Sequence, residues 1–123
     1  MRDVLLVGIG GFAGAIARWL VGALIVPRVP TAFPVHTLLI NVTGSLALGV
    51  ILGAAEVRTL ADWIRPACAV GFLGAYTTFS TFTWETVGLA ARGETVTALA
   101  YVAASLLVGL AAAVAGIAMG RAL

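Results

Sequence analysis

The chain has 123 residues, 62% of them hydrophobic and only 10% charged, with a mean hydropathy of +1.13. A soluble domain carries about 25% charged residues, so this composition excludes a water-solvated surface and predicts an integral membrane protein. The seven arginines and five acids give a net charge of +2, and they are dispersed, which argues against a nucleic-acid-binding patch. The single cysteine, Cys68, excludes an intramolecular disulfide.

Four apolar runs are each long enough to form a membrane-spanning helix, which needs about 20 mostly apolar residues. The proline-rich residues 27–34 end the first run, because proline cannot continue a helix. Pro66 suits the first turn of the third run. The predicted fold class is therefore all-α integral membrane, with one domain over residues 1–123. The predicted spans are 4–26, 35–55, 66–91 and 96–119.

The arginines give only a weak indication of orientation. With four spans, both termini lie on one side of the membrane, and positive charge favours the cytoplasmic side. One side of the membrane has four arginines and the other has two or three. This small difference is compatible with insertion in both orientations and with an antiparallel dimer. The two sets are Arg2, Arg58, Arg65 and Arg121, against Arg28 and Arg92 with Arg18 within reach.

The first run contains a glycine pattern that is also found in dinucleotide-binding units, Gly8-x-Gly10-x-x-Ala13. Such a unit needs an acidic residue about 20 positions later to bind the ribose, whereas residues 28–31 read Arg-Val-Pro-Thr. The better interpretation is helix packing, because Gly10 and Gly14 let a neighbouring helix approach closely. The same spacing recurs at Gly49 and Gly53 and at Gly116 and Gly120.

Polar residues recur every four positions in the second and fourth spans, so each set lies along one helical face. Asn41 stands out, because a carboxamide in hydrocarbon must find hydrogen-bond partners or cost several kcal/mol. Interhelical hydrogen bonding alone explains one such stripe, whereas two stripes favour a polar pathway. The stripes are Thr37, Asn41 and Ser45, and Thr97, Tyr101 and Ser105.

Arg18 and Glu85 are the ionisable residues most clearly inside predicted spans, and such residues are candidates for function. Arg18 lies nine residues before Pro27, about 13 Å along a helix, so it can also reach an interface. A structural ion pair between Arg18 and Glu85 is an alternative. The single histidine, His36, follows the proline-rich loop and is expected at a membrane interface rather than on a metal.

The third span contains a passage that is unusual for an apolar stretch, GFLGAYTTFSTFTWE at residues 71–85. Six of the eight residues from Tyr76 to Thr83 carry a hydroxyl, and Ser and Thr hydroxyls can bond to backbone carbonyls and loosen a helix. Together with the preceding glycines, Gly71 and Gly74, they predict a break in this helix near the bilayer midplane. A break at that depth must be buried in protein or line a hydrated cavity, where freed carbonyls can bind a cation.

Three segments resemble the Fluc (CrcB) family of fluoride channels: GGFAGAIARW at 10–19, Asn41-x-x-Gly44-Ser45, and the passage at 71–85. The resemblance covers essentially the whole chain. It implies an antiparallel, dual-topology dimer with two fluoride pores. It also implies a structural sodium ion at the dimer centre, held by broken third helices.

The resemblance also implies roles for individual residues. The backbone carbonyls of Gly74 and Thr77 would bind sodium, and Phe79 and Phe82 would face the permeating ion. The remaining pore residues would be Asn41, Ser80, Thr81, Tyr101, Ser105, Glu85 and Arg18. The chain departs from the family pattern at Gly109, where another hydroxyl would continue the fourth-span track, and at Trp19, where Tyr is common.

The implied function is passive export of fluoride across the inner (plasma) membrane, by a homodimer or by a pair of paralogues. One alternative is a proton-coupled cation exporter of the small multidrug-resistance type, which depends on an acid in the first span. This first span has none after Asp3. A second alternative is a membrane assembly subunit that transports nothing. An enzyme is not expected, since the sequence offers no paired carboxylates, nucleophile–histidine pair or metal-ligand set.

Overall fold

A computed structural model describes all 123 residues and contains helices and no strand. We number the helices α1 to α5. Helix α3 consists of a π-wound part and one α-helical turn, and together they cover residues 65–76. The bounds are α1 Arg2–Ile25, α2 Val35–Val57, α3 Arg65–Leu73 with Gly74–Tyr76, α4 Phe79–Ala91 and α5 Thr95–Arg121.

Helices α1, α2 and α5 are long and apolar enough to cross a membrane, which confirms the all-helical membrane class. Their ends lie within two residues of the predicted spans. The third predicted span, 66–91, is not one helix. Pro66 lies in the first turn of α3, as predicted, but Thr77 and Thr78 are extended, with ψ of 157° and 117°, and α4 begins only at Phe79.

The helices pack mainly as two pairs, α1 with α3 and α2 with α5. Glycines produce the close approach in both pairs. A Cβ on Gly10 would overlap the backbone of Ala67, and a Cβ on Gly14 would overlap that of Phe72. In the second pair the glycines of both helices face each other's backbone: Gly49 and Gly53 lie against residues 113–117, and Gly116 and Gly120 against residues 46–54. This confirms the packing interpretation of the glycine pairs.

The surface is largely apolar. Only 17 of the 123 residues are buried, so most large apolar side chains of α1 and α5 face outward instead of forming a core. A helix that is apolar on all sides is typical of a lipid environment. A small core does lie where α4 meets α5, with Leu89, Ala98 and Tyr101 covered by Phe33 of the loop between α1 and α2.

Candidate functional site

The side chain of Asn41 binds the peptide backbone in the gap between α3 and α4. Its Nδ2 donates to the Thr78 carbonyl at 3.1 Å, and its Oδ1 accepts from the Thr78 amide at 2.8 Å. One contact requires a donor and the other an acceptor, so the pair also fixes the orientation of the carboxamide. Asn41 of α2 thereby supplies the hydrogen bonds that neighbouring turns of a continuous helix would give to the Thr78 amide and carbonyl.

The backbone carbonyls at the end of α3 lose their usual donors at this gap, among them those of Gly74 and Thr77. In a continuous helix the amides of Thr78 and Thr81 would donate to the carbonyls of Gly74 and Thr77. Here the Thr78 amide donates to Asn41, and the Thr81 amide donates to the Thr78 hydroxyl at 3.2 Å. The Thr77 carbonyl instead accepts from Arg18 Nη1 at 3.3 Å. The end of α3 thus presents carbonyl oxygens that no helix satisfies.

Hydroxyls gather around Thr78 at the start of α4. Thr78 is buried and caps α4, since its hydroxyl accepts from the Thr81 amide, as Thr does at many helix N-termini. The same hydroxyl donates to Thr81 Oγ1 at 3.0 Å and lies 3.3 Å from Ser80 Oγ. The predicted residues Ser80 and Thr81 therefore lie in one hydroxyl cluster.

Three aromatic rings connect the gap to α5. The rings of Phe79 and Phe82 are 5.7 Å apart and tilted by 41°, and Phe82 is 5.2 Å from Tyr101 at 56°. Phe79 is 76% exposed, whereas Tyr101 is fully buried. Phe82 thus lies between the exposed ring of Phe79 and the buried ring of Tyr101.

A groove of about 350 Å³ opens along the rings of Phe79 and Phe82. Its walls include Asn41, Phe79, Phe82 and the hydroxyl-bearing Ser105 of α5. Ser105 Oγ is buried and has no hydrogen-bond partner. Buried polar atoms are almost always paired, so an unpaired hydroxyl in the wall of a groove indicates a position where a ligand or water binds.

Glu85 of α4 forms a second polar cluster near the start of α2. Its Oε2 accepts from Tyr101 at 2.7 Å, and its Oε1 accepts from Thr37 at 2.9 Å. His36 Nε2 lies 3.3 Å from the same Oε1. A cavity of about 280 Å³ beside His36 and Glu85 also borders Arg92 and the loop that precedes α2. Because Phe82 contacts Tyr101, the groove and this cluster form one continuous row of polar and aromatic groups.

Comparison with known proteins identifies the family of this membrane protein. The family model described as CrcB-like protein, Camphor Resistance (CrcB), matches residues 5–117. The chain belongs to the CrcB family. This membership excludes the small multidrug-resistance alternative and the dinucleotide-binding interpretation of the first helix.

Curated relatives match the CrcB-family chain over nearly its whole length. A protein of Chlorobaculum tepidum is 48% identical over 117 residues, which cover 94% of this chain and 92% of the relative. One of Rhizobium meliloti is 40% identical over 124 residues, covering 100% and 99%. One of Nitratidesulfovibrio vulgaris is 38% identical over 122 residues, covering 98% of each. All three are named fluoride-specific ion channel FluC.

The alternative of an ion pair between Arg18 and Glu85 is wrong for this CrcB-family chain. Arg18 instead donates to the Thr77 carbonyl, and the cation beside Glu85 is His36 when its ring is protonated. Arg18 and His36 both border a third cavity, of about 570 Å³, between α1 and α2. Arg18 and Glu85 are both half-buried, and each is paired with a group other than the other charge.

Sequence reasoning missed two members of these clusters and underrated a third. Thr78 forms more polar contacts at the gap than any predicted site residue, and its position directly before an apolar helix is a typical N-cap signal. His36 was expected only at an interface. Thr37 was placed on the correct helical face, but nothing in its own neighbourhood indicated Glu85 as its partner.

Proposed function

We propose that this protein is a fluoride-selective channel that exports fluoride passively from the cytoplasm across the inner (plasma) membrane, which it crosses several times. The observation that carries the proposal is the near full-length similarity to three proteins named fluoride-specific ion channels, at 38% to 48% identity. Membership of this family makes the chain a transport protein and not an enzyme.

The groove and the cluster at Glu85 supply the chemistry that fluoride needs. Fluoride is small and strongly hydrated, so a pore must replace its water with hydrogen-bond donors. Asn41 uses one N–H on Thr78 and keeps a second one, and the unpaired Ser105 hydroxyl offers another donor. The rings of Phe79 and Phe82 carry positive edges, which attract an anion without a full charge that would trap it.

The proposed path runs from this groove past Phe82 to Tyr101 and Glu85. The end of this path beside the gap between α3 and α4 is proposed to be lined by Ser80, Thr81 and Arg18. Gly109 lies further along α5, where a Cβ would meet nothing within 4 Å. Water can therefore fill the space that a hydroxyl would occupy at that position.

A second, oppositely inserted copy is proposed to complete the pore. The groove is open on one side, and Phe79 on its wall is 76% exposed, so one chain alone does not enclose an ion path. The dimer would place the gap between α3 and α4 near the bilayer midplane, in the third span of each copy. Two such copies would form two pores, and fluoride efflux from the pure chain would distinguish a homodimer from a pair of paralogues.

A structural sodium ion is proposed at the dimer centre. Its ligands would be the carbonyls of Gly74 and Thr77 from both copies, which are among the carbonyls at the end of α3 that lack a helical donor. Carbonyl oxygens are ligands suited to a hard cation. Arg18 already donates to the Thr77 oxygen, but a carbonyl oxygen has a second lone pair for the ion.

Fluoride efflux from liposomes tests the channel proposal. Purified protein is reconstituted in vesicles loaded with potassium fluoride or potassium chloride, and a potassium ionophore balances the charge. We expect rapid fluoride release and far slower chloride release. Equal rates for the two anions would contradict selectivity, and fluoride release no faster than from protein-free vesicles would contradict the channel itself.

Thermal unfolding in detergent tests the sodium proposal. An ion that binds only the folded dimer stabilises it by about 2.7 kcal/mol at 100 times its Kd. The unfolding midpoint should therefore rise with sodium concentration but not with N-methylglucamine at equal ionic strength. A midpoint that responds equally to the two cations would remove the role of Gly74 and Thr77.

A further inference from the structure

His36 is the most exposed partner of the Glu85 side chain. The imidazole Nε2 lies 3.3 Å from Glu85 Oε1, and the two side chains are 29% and 9% exposed. The other two partners, Thr37 and Tyr101, are almost completely buried. Of the three partners, the imidazole is therefore the one that can most readily exchange a proton with its surroundings and so change the charge beside the carboxylate.

The position of His36 places its ring between two cavities. It borders the cavity of about 280 Å³ beside Glu85 and the cavity of about 570 Å³ beside Arg18. A Cβ on Gly22 would lie 3.8 Å from its Cδ2, so the ring also faces α1. The imidazole is thus part of the wall at the end of the proposed path, not a side chain directed into lipid.

The charged and titratable groups around His36 come from each neighbouring element. Helix α4 contributes Glu85, and Arg92 follows its end and pairs with Glu94. Helix α1 contributes Arg18, and α5 contributes the Tyr101 hydroxyl that binds Glu85. Arginines stay protonated throughout the physiological range, whereas histidine is the side chain whose charge ordinarily changes between pH 5 and 8.

We propose that His36 positions the Glu85 carboxylate and sets the charge at this end of the fluoride path, so that protonation of its ring increases flux; this inference rests on the proposed function. With a neutral imidazole, the His36–Glu85 pair carries one negative charge beside the path and repels fluoride. With an imidazolium, the pair is neutral. Removing a like charge from a narrow entrance raises the local concentration of the permeating ion, by about tenfold at low ionic strength and less at high salt.

Fluoride efflux measured at equal pH on both faces of the vesicle tests the inference. The variants are His36→Gln, which keeps an N–H near the position of Nε2 without titrating, and His36→Arg, which fixes a positive charge. Protein-free vesicles at each pH supply the leak carried by HF, and any affinity tag with histidines is removed. We expect wild-type flux to fall several-fold as the pH is raised, with both variants flat and the Arg variant at the acid level.

Glu56→Gln is the matched control. Glu56 lies at the opposite end of α2 and pairs with Arg121 at 2.6 Å, so this variant should keep the wild-type pH profile. A flat profile in a wild-type protein that conducts fluoride would overturn the inference and leave the channel proposal intact. A His36→Gln variant with the wild-type profile would also overturn it. Loss of fluoride flux from every protein at every pH would instead overturn the channel proposal, and the inference with it.

Nuclear magnetic resonance provides a readout that does not depend on flux. His36 is the only histidine of the chain, so its ring signals need no assignment. At fixed pH, Glu85→Gln should move these signals and Glu56→Gln should not. Unchanged ring signals in Glu85→Gln would show that the pair does not form, even where a His36 variant fails to fold.

Discussion

The carboxamide of Asn41 pairs with both the amide and the carbonyl of Thr78, at 2.8 and 3.1 Å. One side chain of α2 thus stabilises the end of α3 and the start of α4. The Thr78 hydroxyl then caps α4, which leaves the Gly74 and Thr77 carbonyls without helical donors. The gap is therefore held by specific polar contacts and is not merely a flexible point in the helix.

The first prediction concerns this pair. Asn41→Leu removes both hydrogen bonds at similar side-chain size and should cost about 1–3 kcal/mol for each Thr78 group left without a partner. We expect a lower unfolding midpoint and loss of fluoride flux. Thr86→Val is the control, because the Thr86 hydroxyl bonds only within α4, to the Phe82 carbonyl at 2.8 Å. Equal midpoints for the two variants would contradict a role for Asn41 in holding the gap.

The second prediction concerns the two hydroxyls that share the Glu85 carboxylate. Thr37 and Tyr101 bind different oxygens of one group, so Thr37→Val and Tyr101→Phe should not act independently. We expect a coupling of about 0.5–3 kcal/mol in a double-mutant cycle on unfolding free energy. A cycle of Tyr101→Phe with Thr83→Val serves as the reference and should be additive, because the Thr83 hydroxyl bonds to the Ser80 carbonyl and shares no partner with Tyr101. Additivity in both cycles would show that the carboxylate does not link the two helices.

Periodicity predicted much of this site, because a spacing of four residues fixes which side chains share a helical face. Thr37 and Asn41 were placed on one face of α2, and both contact the segment that follows α3. The partners themselves could not be predicted in this way. Asn41 binds Thr78 across 37 residues of sequence, and that contact depends on how α2 packs against the gap.

The winding of α3 was also beyond sequence reasoning. Composition predicts a helix at residues 65–73, but the observed π-winding lies where this segment packs against α1. A Cβ on Gly71 would lie 2.7 Å from the Val7 carbonyl and 3.1 Å from the Gly11 amide. Gly71 was predicted to favour a break in this helix, whereas the structure places it inside the π-wound part of α3, packed against α1.

The third prediction uses the glycines between α2 and α5. Gly116→Val places a branched side chain against the backbone of α2 and should cost about 1–3 kcal/mol from overpacking. Gly109→Ala on the same helix is the control, since a Cβ there meets nothing within 4 Å. The measurement is the thermal unfolding midpoint of each variant. A Gly116→Val midpoint equal to that of Gly109→Ala would show that this contact does not stabilise the pair of helices.

The last prediction separates a ring that contacts fluoride from one that only packs. Phe82 lies between Phe79 and Tyr101, so Phe82→Ile keeps an apolar side chain but removes the positive ring edge proposed to face the ion. Edge contacts between aromatic rings contribute about 0.5–1.5 kcal/mol, and an ion–edge contact of that size corresponds to a fall in flux of about twofold to tenfold.

Phe12→Ile is the matched control for this change. Phe12 is 72% exposed on α1 and lines none of the described cavities, so the same substitution there should leave fluoride efflux unchanged. Both variants are first checked for the wild-type oligomeric state by size-exclusion chromatography. Phe82→Ile with wild-type flux would mean that the ring only fills space, and the ion would then have to pass along the hydroxyls of α4 and α5 without aromatic contact.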